Sequence, residues 1–336
     1  MRVAFTHNIQ VDDSWKQAEF DSLATVLAIT RALENLGHRV EAINVSGPME
    51  QTIQSLESIR PDLVFNSAEG DFGKFREALF PAIFEQLKLP FTGSDAHVCT
   101  VTMDKNLTKL LARSHGVPTP ASIFVTTAAG LSKCDLSFPV VVKPNFGGSS
   151  IGINQDSIVE SSEDLESKVE RALGQFPSGV LIEEFIEGMD VVVPFLEAAS
   201  PETGGVLCAV DYAIEFPGGD RRKYKIYDFE LKHSLSDAVK PRAPADLPAA
   251  LAQRIGDLSR CVYSCLGIRD LGRIDFRISR LDEPFFIEAN ALPSLEPGAG
   301  IYAAAVLAGL PSVEAVLDAV IRSALNRQSN NFQAEE

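Results

Sequence analysis

Three segments of the chain carry side chains whose types and spacing could do chemistry. Residues 145–152 read NFGGSSIG and follow an apolar stretch that ends in Lys143 and Pro144. Glycines let backbone N–H groups approach a phosphate closely, and the hydroxyls of Ser149 and Ser150 add donors. Lys143 can bring a positive charge to the same phosphates. The loop matches neither GxxxxGK[ST] nor GxGxxG, and alone it is equally an ordinary flexible turn. The second constellation is Arg273 and Asp275 on one expected strand, with Glu288 and Asn290 on another. Residues two apart on a strand share a face. Two carboxylates and an amide can therefore converge as an oxygen set suited to Mg²⁺. A surface salt-bridge network around Arg273 would use the same residues, although the apolar flank at Phe285, Phe286 and Ile287 favours buried, functional carboxylates. The third segment, residues 180–190 (VLIEEFIEGMD), runs from an apolar strand into Glu183, Glu184 and Asp190. It reads either as a hinge at a domain edge or as a nucleotide clamp.

The elements that must position these residues follow from hydrophobic period. Strands at 3–5, 39–43 and 61–65 alternate with helical spacing over 20–36 and 78–87, and Gly37 stops the first helix. That alternation predicts a parallel sheet with helices on its faces, ending near Gly93. From Asp104 the pattern changes to a helix (105–115), a stiff connector (116–120), a strand (138–143), the loop, a charged helix (162–173) and a strand (180–185). The last part has β-like stretches at 191–197 and 208–214, a polar loop and a helix at 247–266. Strands at 272–279 and 284–289 follow, then a closing helix at 313–325. A polar tail, 329–336, is expected to be disordered.

A chain of 336 residues with 45% hydrophobic content can form two or three domains. Its formal net charge of -16 argues against nucleic acid or an anionic membrane as partner. The first residues, MRVAFTHNI, read as a strand and not as a secretory signal, and no stretch approaches the ~20 apolar residues of a membrane span. The five cysteines (Cys99, Cys134, Cys208, Cys261, Cys265) show no CxxC spacing. Cys261 and Cys265, four apart on an expected helix, read as small core-facing residues. A cytoplasmic protein with reduced thiols is the expectation. The other histidines, His7, His38, His97 and His115, have no metal-ligand spacing and read as structural or surface residues.

Taken in order, these segments resemble the D-alanine–D-alanine ligase branch of the ATP-grasp superfamily, over about residues 1–325. The residues that carry the resemblance are 91–94 (FTGS), 103–105 (MDK), Lys143 and Pro144 with 148–152 (GSSIG), Glu183 and Glu184, 272–276 (GRIDF) and 288–290 (EAN). The resemblance implies an α/β fold, α+β in its ATP-grasp part, with three domains: 1–95, 96–186 and 187–328. Nucleotide would lie between the second and third. It further implies that Lys105 and Lys143 hold ATP phosphates beneath a loop carrying Ser149 and Ser150. Glu183 and Glu184, with Phe185 and Ile186, would form the base pocket, Asp190 would take the ribose hydroxyls, and Lys232 would reach the nucleotide from a mobile loop at 220–233. Asp275, Glu288 and Asn290 would bind two Mg²⁺ ions, with Mn²⁺ as a substitute. Arg273 would stabilise the oxyanion of a tetrahedral intermediate. The partners implied are small-molecule carboxylate and amine substrates, amino acids by default, in a homodimer.

The departures fall on the substrates. Where cell-wall ligases carry a histidine–glycine pair, this chain reads NSAEG at 66–70. After Asn290 it reads ALPSLEPGAG, with Ser294 as the substrate candidate and no serine where the family holds the second carboxylate. His233 stands where a tyrosine is usual. Glu19 is the candidate for the first substrate's ammonium group, and Arg76 for a substrate carboxylate. Either is also readable as a solvated helix charge. A protonated His233 would favour an anionic hydroxy acid, so an ester-forming ligase stands beside a dipeptide or natural-product ligase. A nucleotide-binding regulatory protein without chemistry is the alternative of another class.

Overall fold

The computed structural model of the chain describes all residues except Asp13, Cys134, 217–221 and 335–336. Its first part runs β1 (Arg2–His7), α1 (Leu23–Asn35), β2 (Arg39–Asn44), α2 (Met49–Ile59), β3 (Leu63–Asn66) and α3 (Arg76–Gln86). The three strands form a parallel sheet in the order β2-β1-β3. All of β3 and all of β1 beyond Arg2 are buried, as parallel strands covered on both faces must be. α1 begins where Ser22 accepts from the N–H of Thr25 and turns Val26, Ile29 and Leu33 inward.

Next come α4 (Ala96–Met103), α5 (Lys105–Ser114), β4 (Ser122–Val125), β5 (Val140–Pro144), β6 (Ile158–Val159), α6 (Ser162–Gln175) and β7 (Val180–Glu184). The strands make an antiparallel sheet, β4-β7-β5-β6, whose apolar face packs on Leu165 and Val169 of α6. The last part holds β8 (Gly188–Leu196), β9 (Val210–Ile214), α7 (Phe229–His233), β10 (Val239–Arg242), α8 (Ala249–Leu266), β11 (Leu271–Ser279), β12 (Pro284–Asn290), α9 (Gly300–Leu307) and α10 (Val313–Ala334). Its five strands pair antiparallel in the order β10-β9-β8-β11-β12. α8 buries Leu251, Ile255, Ser259, Val262 and Leu266 on one stripe and stops at Gly267, whose φ of 72° suits a left-handed cap.

Two differences from the sequence pattern concern how the parts join. α4 and α5 fall in the range 96–186, yet they pack with α8 on the five-stranded sheet. Phe5, Ile29 and Phe65 of the first part share one core with Leu196, Leu271, Leu317 and Val320 of the last. The tail is a third difference. The backbone of α10 continues through 329–334, because that stretch has no proline or glycine to stop a helix already nucleated. Cys261 and Cys265, both on α8, pack at the edge of the core with free thiols. Among the described residues no helix is long and apolar enough to cross a membrane.

Candidate functional site

Between the four-stranded and five-stranded sheets lies a cavity of about 140 Å³, lined by Lys143, Ser150, Glu183, Glu184, Phe185, Ile186, Asp190 and Lys232. The structure thus brings eight of the nucleotide candidates to one wall. Glu183, on β7 beside β5, is fully buried between two lysines. Its Oε1 meets the ammonium of Lys143, and its Oε2 lies 2.9 Å from Nζ of Lys109. Burial would raise the Glu183 carboxyl, but Lys109 and Lys143 together hold it below its ordinary value. Burial pushes Lys109 down to about 8 against the pull of Glu183, so the group stays charged near neutrality. Glu184 accepts from the N–H of Ser137 at 2.8 Å. Asp190 pairs with Arg277 at 2.7 Å and accepts from the N–H of Tyr227 at 2.9 Å. Arg277 also donates to the carbonyl of Ile186 at 2.8 Å and stacks 5.1 Å from the Phe185 ring, tying three of the lining residues together.

At the inner end of this cavity β11 and β12 set the oxygen cluster. Asp275 pairs directly with Glu288 and Arg273 with Asn290, and a register shift follows Asp275. Arg273 grips Asp275 through two hydrogen bonds of 2.6 and 2.8 Å. Lys105 sits 3.1 Å from Glu288 and donates to the carbonyl of Gly147. Burial opposes ionisation of Glu288, yet Lys105, Lys143, Arg273 and Lys232 outweigh it and hold the carboxyl at about 2. Burial instead raises Asp275, with Arg273 opposing. The buried Nδ2 of Asn290 has no partner among the described residues. Two carboxylates and an amide, all oxygen donors on facing strands, fit a hard divalent cation. Four cationic side chains crowd the same point, so a bare divalent ion would be repelled, whereas one bridging polyphosphate oxygens would be charge-balanced.

The loop at 145–152 crosses above. Ser149 and Ser150 both adopt left-handed backbone (φ 48° and 55°), and Ser150 donates to the carbonyl of Tyr227 at 3.1 Å. A Cβ on Gly148 would lie 2.0 Å from Oε1 of Glu19, so a side chain there must displace that carboxylate or the loop. Where the sequence suggests a mobile loop over 220–233, residues 229–233 form α7, capped by Asp228 on the N–H of Leu231. Residues 220 and 221 lie outside the described residues. α7 places Lys232 beside Arg273, and burial first, then Arg273, pushes this lysine down to about 8. Lys232 and Arg273 line both this cavity and a second, larger one of about 580 Å³, which Glu19, Ser149, His233, Asn290 and Ser294 also line.

A family model described as D-ala D-ala ligase C-terminus matches residues 113–315. The D-alanine–D-alanine ligase of Aquifex aeolicus is 32% identical over 275 residues, covering 82% of this chain and 86% of that protein. The chain belongs to the D-alanine–D-alanine ligase family. The ligase of Gluconobacter oxydans is 30% identical over 308 residues, covering 91% of the chain and 95% of that protein. The structure of the Bacillus anthracis D-alanine–D-alanine ligase complexed with ATP superposes with a TM-score of 0.74 at 22% identity, covering 98% and 99% of the two chains. The fold is therefore that of an ATP-grasp ligase, an enzyme class that forms carbon–nitrogen bonds.

Of the expected substrate residues, Glu19, His233, Arg273 and Ser294 line the larger cavity of this ligase and one does not. Arg76 does not reach the cavity wall. Its guanidinium is taken by Glu19 at 2.5 Å, Glu69 at 2.8 Å and the carbonyl of Phe146 at 3.1 Å. It is held there because Glu19, Glu69 and Glu77 bring carboxylate oxygens within 4.8 Å of one another and need a cation among them. His233 lines the larger cavity, where burial, then Lys232, pushes its imidazole below the ordinary value. Glu19 faces the cavity while paired with Arg76, and the exposed Ser294 accepts from the N–H of Glu296 at 3.2 Å. Lys109, Glu69, Glu77 and Arg277 are absent from the sequence-based set. The one signal for Lys109 was its place one turn beyond Lys105 on an amphipathic helix.

Proposed function

We propose that the chain is an ATP-dependent carboxylate–amine ligase that joins two amino acids or amino-acid-like substrates through an acyl phosphate. The observation that carries this reading is the meeting of the two cavities. Asp275 and Glu288 line the smaller, Asn290 lines the larger, and Lys232 and Arg273 face both. The base of ATP fits against Phe185 and Ile186, and its phosphates run toward Lys143, Lys105 and Lys232. A carboxylate oxygen of the first substrate attacks the γ-phosphorus, and ADP leaves. The lysines neutralise charge that grows on the transferring group. Mg²⁺ held by Asp275, Glu288 and Asn290 would add neutralisation of the β- and γ-phosphate oxygens. An amine of the second substrate then attacks the acyl carbon and loses a proton, and inorganic phosphate leaves. Arg273 faces the point where the oxyanion forms. The loop at 145–152 covers the junction and keeps water from the acyl phosphate.

The test is ADP and phosphate release from Mg²⁺-ATP across amino acids and hydroxy acids, singly and in pairs, with mass spectrometry of products. Release that requires an amine together with a carboxylate, and an amide product, is the expected result. ATP binding with no release on any pair would sink the reading. Alanine pairs and a specialised dipeptide are both covered by it, and the product mass separates them.

A further inference from the structure

Arg76 lines neither cavity, yet its side chain ties together three segments that come from separate places in the chain. It opens α3, and its backbone is fixed there because its carbonyl accepts from the N–H of Gly70 at 2.8 Å. The mostly buried guanidinium donates in three directions. Nη2 meets Oε2 of Glu19 ahead of α1, Nε meets Oε2 of Glu69 just after β3, and Nη1 meets the Phe146 carbonyl in the 145–152 loop. Charge balance accounts for the first two contacts, since neighbouring buried carboxylates need a cation. It does not account for the third, in which a cation of the first part holds the loop of another sheet.

That loop has a second cationic grip. Lys105 donates to the carbonyl of Gly147, the residue after Phe146, and sits 3.1 Å from Glu288. Under the ligase reading this grip weakens when ATP binds, because Lys105 is drawn toward the phosphates. Arg76 is kept from them, with its charge balanced by Glu19 and Glu69, so its hold on Phe146 persists with nucleotide in place. The Phe146 ring is held too, with the Lys74 ammonium 4.7 Å from its centroid and Phe124 edge-on at 6.2 Å. The same guanidinium sets Glu19. With Oε2 on Arg76, Oε1 is left beside Gly148, and Glu19 and Gly148 both line the larger cavity.

We propose that Arg76 is a positioning residue for the ligation. It touches no substrate. It keeps the 145–152 loop shut over the junction while ATP is bound, and it holds one oxygen of Glu19 on the wall of the larger cavity, where an ammonium group can meet it. The effect on turnover rests on the ligase reading, whereas the latch itself rests on the contacts of Arg76. A lysine in its place keeps the charge that Glu19, Glu69 and Glu77 require. Its single nitrogen cannot hold three acceptors spread around a planar fork. Arg76→Lys thus removes the latch and keeps the ion balance.

Hydrogen–deuterium exchange in the presence of Mg²⁺ and a non-hydrolysable ATP analogue tests the latch without turnover. Amides of 145–152 should exchange roughly tenfold faster in Arg76→Lys than in the parent protein, and those of α8 at the same rate in both. During ligation the parent should release one phosphate per amide bond formed. The variant should release more than one, as water takes the acyl phosphate under a loosened loop, with the KM for ATP changed by less than about twofold. Equal exchange in 145–152 overturns the proposal. So does a slower variant that keeps one phosphate per amide, since a purely structural arginine lowers the rate without changing that ratio. If Arg76→Lys does not fold, the same comparison is made in the Glu69→Gln background, which has one carboxylate fewer to balance. Faster loop exchange in the variant, with no ADP release by the parent on any acid–amine pair, upholds the latch and sinks the ligase reading. Ligation by the parent with equal loop exchange does the reverse.

Discussion

Lys109 makes no contact with solvent, yet it carries a charge whose counterion, Glu183, comes from a strand far along the chain. Glu183 needs both of its lysines, because a buried carboxylate with one partner removed keeps its desolvation cost and loses half its compensation. Lys109→Met should therefore destabilise the fold by about 3 kcal/mol in urea titration. It should also raise the KM for ATP more than it lowers kcat, because Lys143 and Glu183 line the smaller cavity and the reacting atoms do not. A variant with full stability and unchanged KM would remove Lys109 from the site. His7 supports a prediction about pH. Burial lowers its imidazole from 6.5 to about 4, and its Nδ1 has no partner among the described residues. The unfolded chain thus binds the proton that the folded chain refuses, so stability is lost as pH falls from 6.5 toward 4. Thermal unfolding at pH 7 and pH 5 should show a smaller drop for His7→Asn than for the parent protein. At this scale the sequence showed residues that act as neighbours on one strand, such as Arg273 with Asp275 and Glu288 with Asn290. It did not show Lys109, Arg277 or the Arg76 cluster, whose partners come from separate elements.

At the scale of elements, the long periodic segments were legible and the short ones were not. α1, α8, β11 and β12 have enough residues for their period to be counted, and all four stand within two or three residues of where the pattern puts them. α2, α4, α9, β4 and β10 escaped notice, because four- to eleven-residue elements whose partners are remote carry little periodicity of their own. α7 escaped too. Its five residues lie in a polar stretch, too short for a period to show; the Asp228 cap on Leu231 is local, and the contact of Ser150 with the Tyr227 carbonyl just before it is tertiary. The 145–152 loop shows how an element can depend on a single missing side chain. Its approach to Glu19 leaves no room for a methyl group at Gly148. Gly148→Ala must displace either the loop or the carboxylate, and neither belongs to the folded core. We expect kcat/KM to fall by at least roughly tenfold, about 1.4 kcal/mol, with a change in Tm of no more than a few degrees. A loss of stability equal to the loss of activity would show that the contact serves folding and not closure.

Over the whole molecule, the ordered motifs predicted three parts, and the packing shows that the first and last are not independent of each other. Phe5 and Phe65 from the parallel sheet and Leu317 and Val320 from α10 lie in one buried cluster. A polar joint reinforces it at Asp270, which is fully buried. Its carboxylate accepts from the N–H of Gly93 at 2.7 Å and the Ser323 hydroxyl at 2.7 Å, and it also pairs with Arg327. Arg327 in turn donates to the carbonyl of Phe91 at 2.9 Å, so the end of the first part is fastened to α10 twice. Hydrophobic period cannot reveal such a joint, since aspartate at 270 and arginine at 327 read as surface charges until the chain brings them together. Asp270→Ala removes the counterion of the partly buried Arg327 guanidinium and leaves the Gly93 N–H without its acceptor, while Ser323 keeps Glu197 at 3.0 Å, which should cost about 3 kcal/mol. The cost should appear as loosening between parts before either unfolds. Trp15, the one tryptophan, packs edge-on to Phe176 at 5.9 Å and reports the contact of the first part with α6. In the parent protein its fluorescence and the far-ultraviolet circular dichroism should follow a single urea transition, as one shared core requires. In Asp270→Ala the fluorescence change should come first. Coincident curves in the variant would mean that the apolar cluster alone holds the parts together and that the Asp270 joint only adds to its depth.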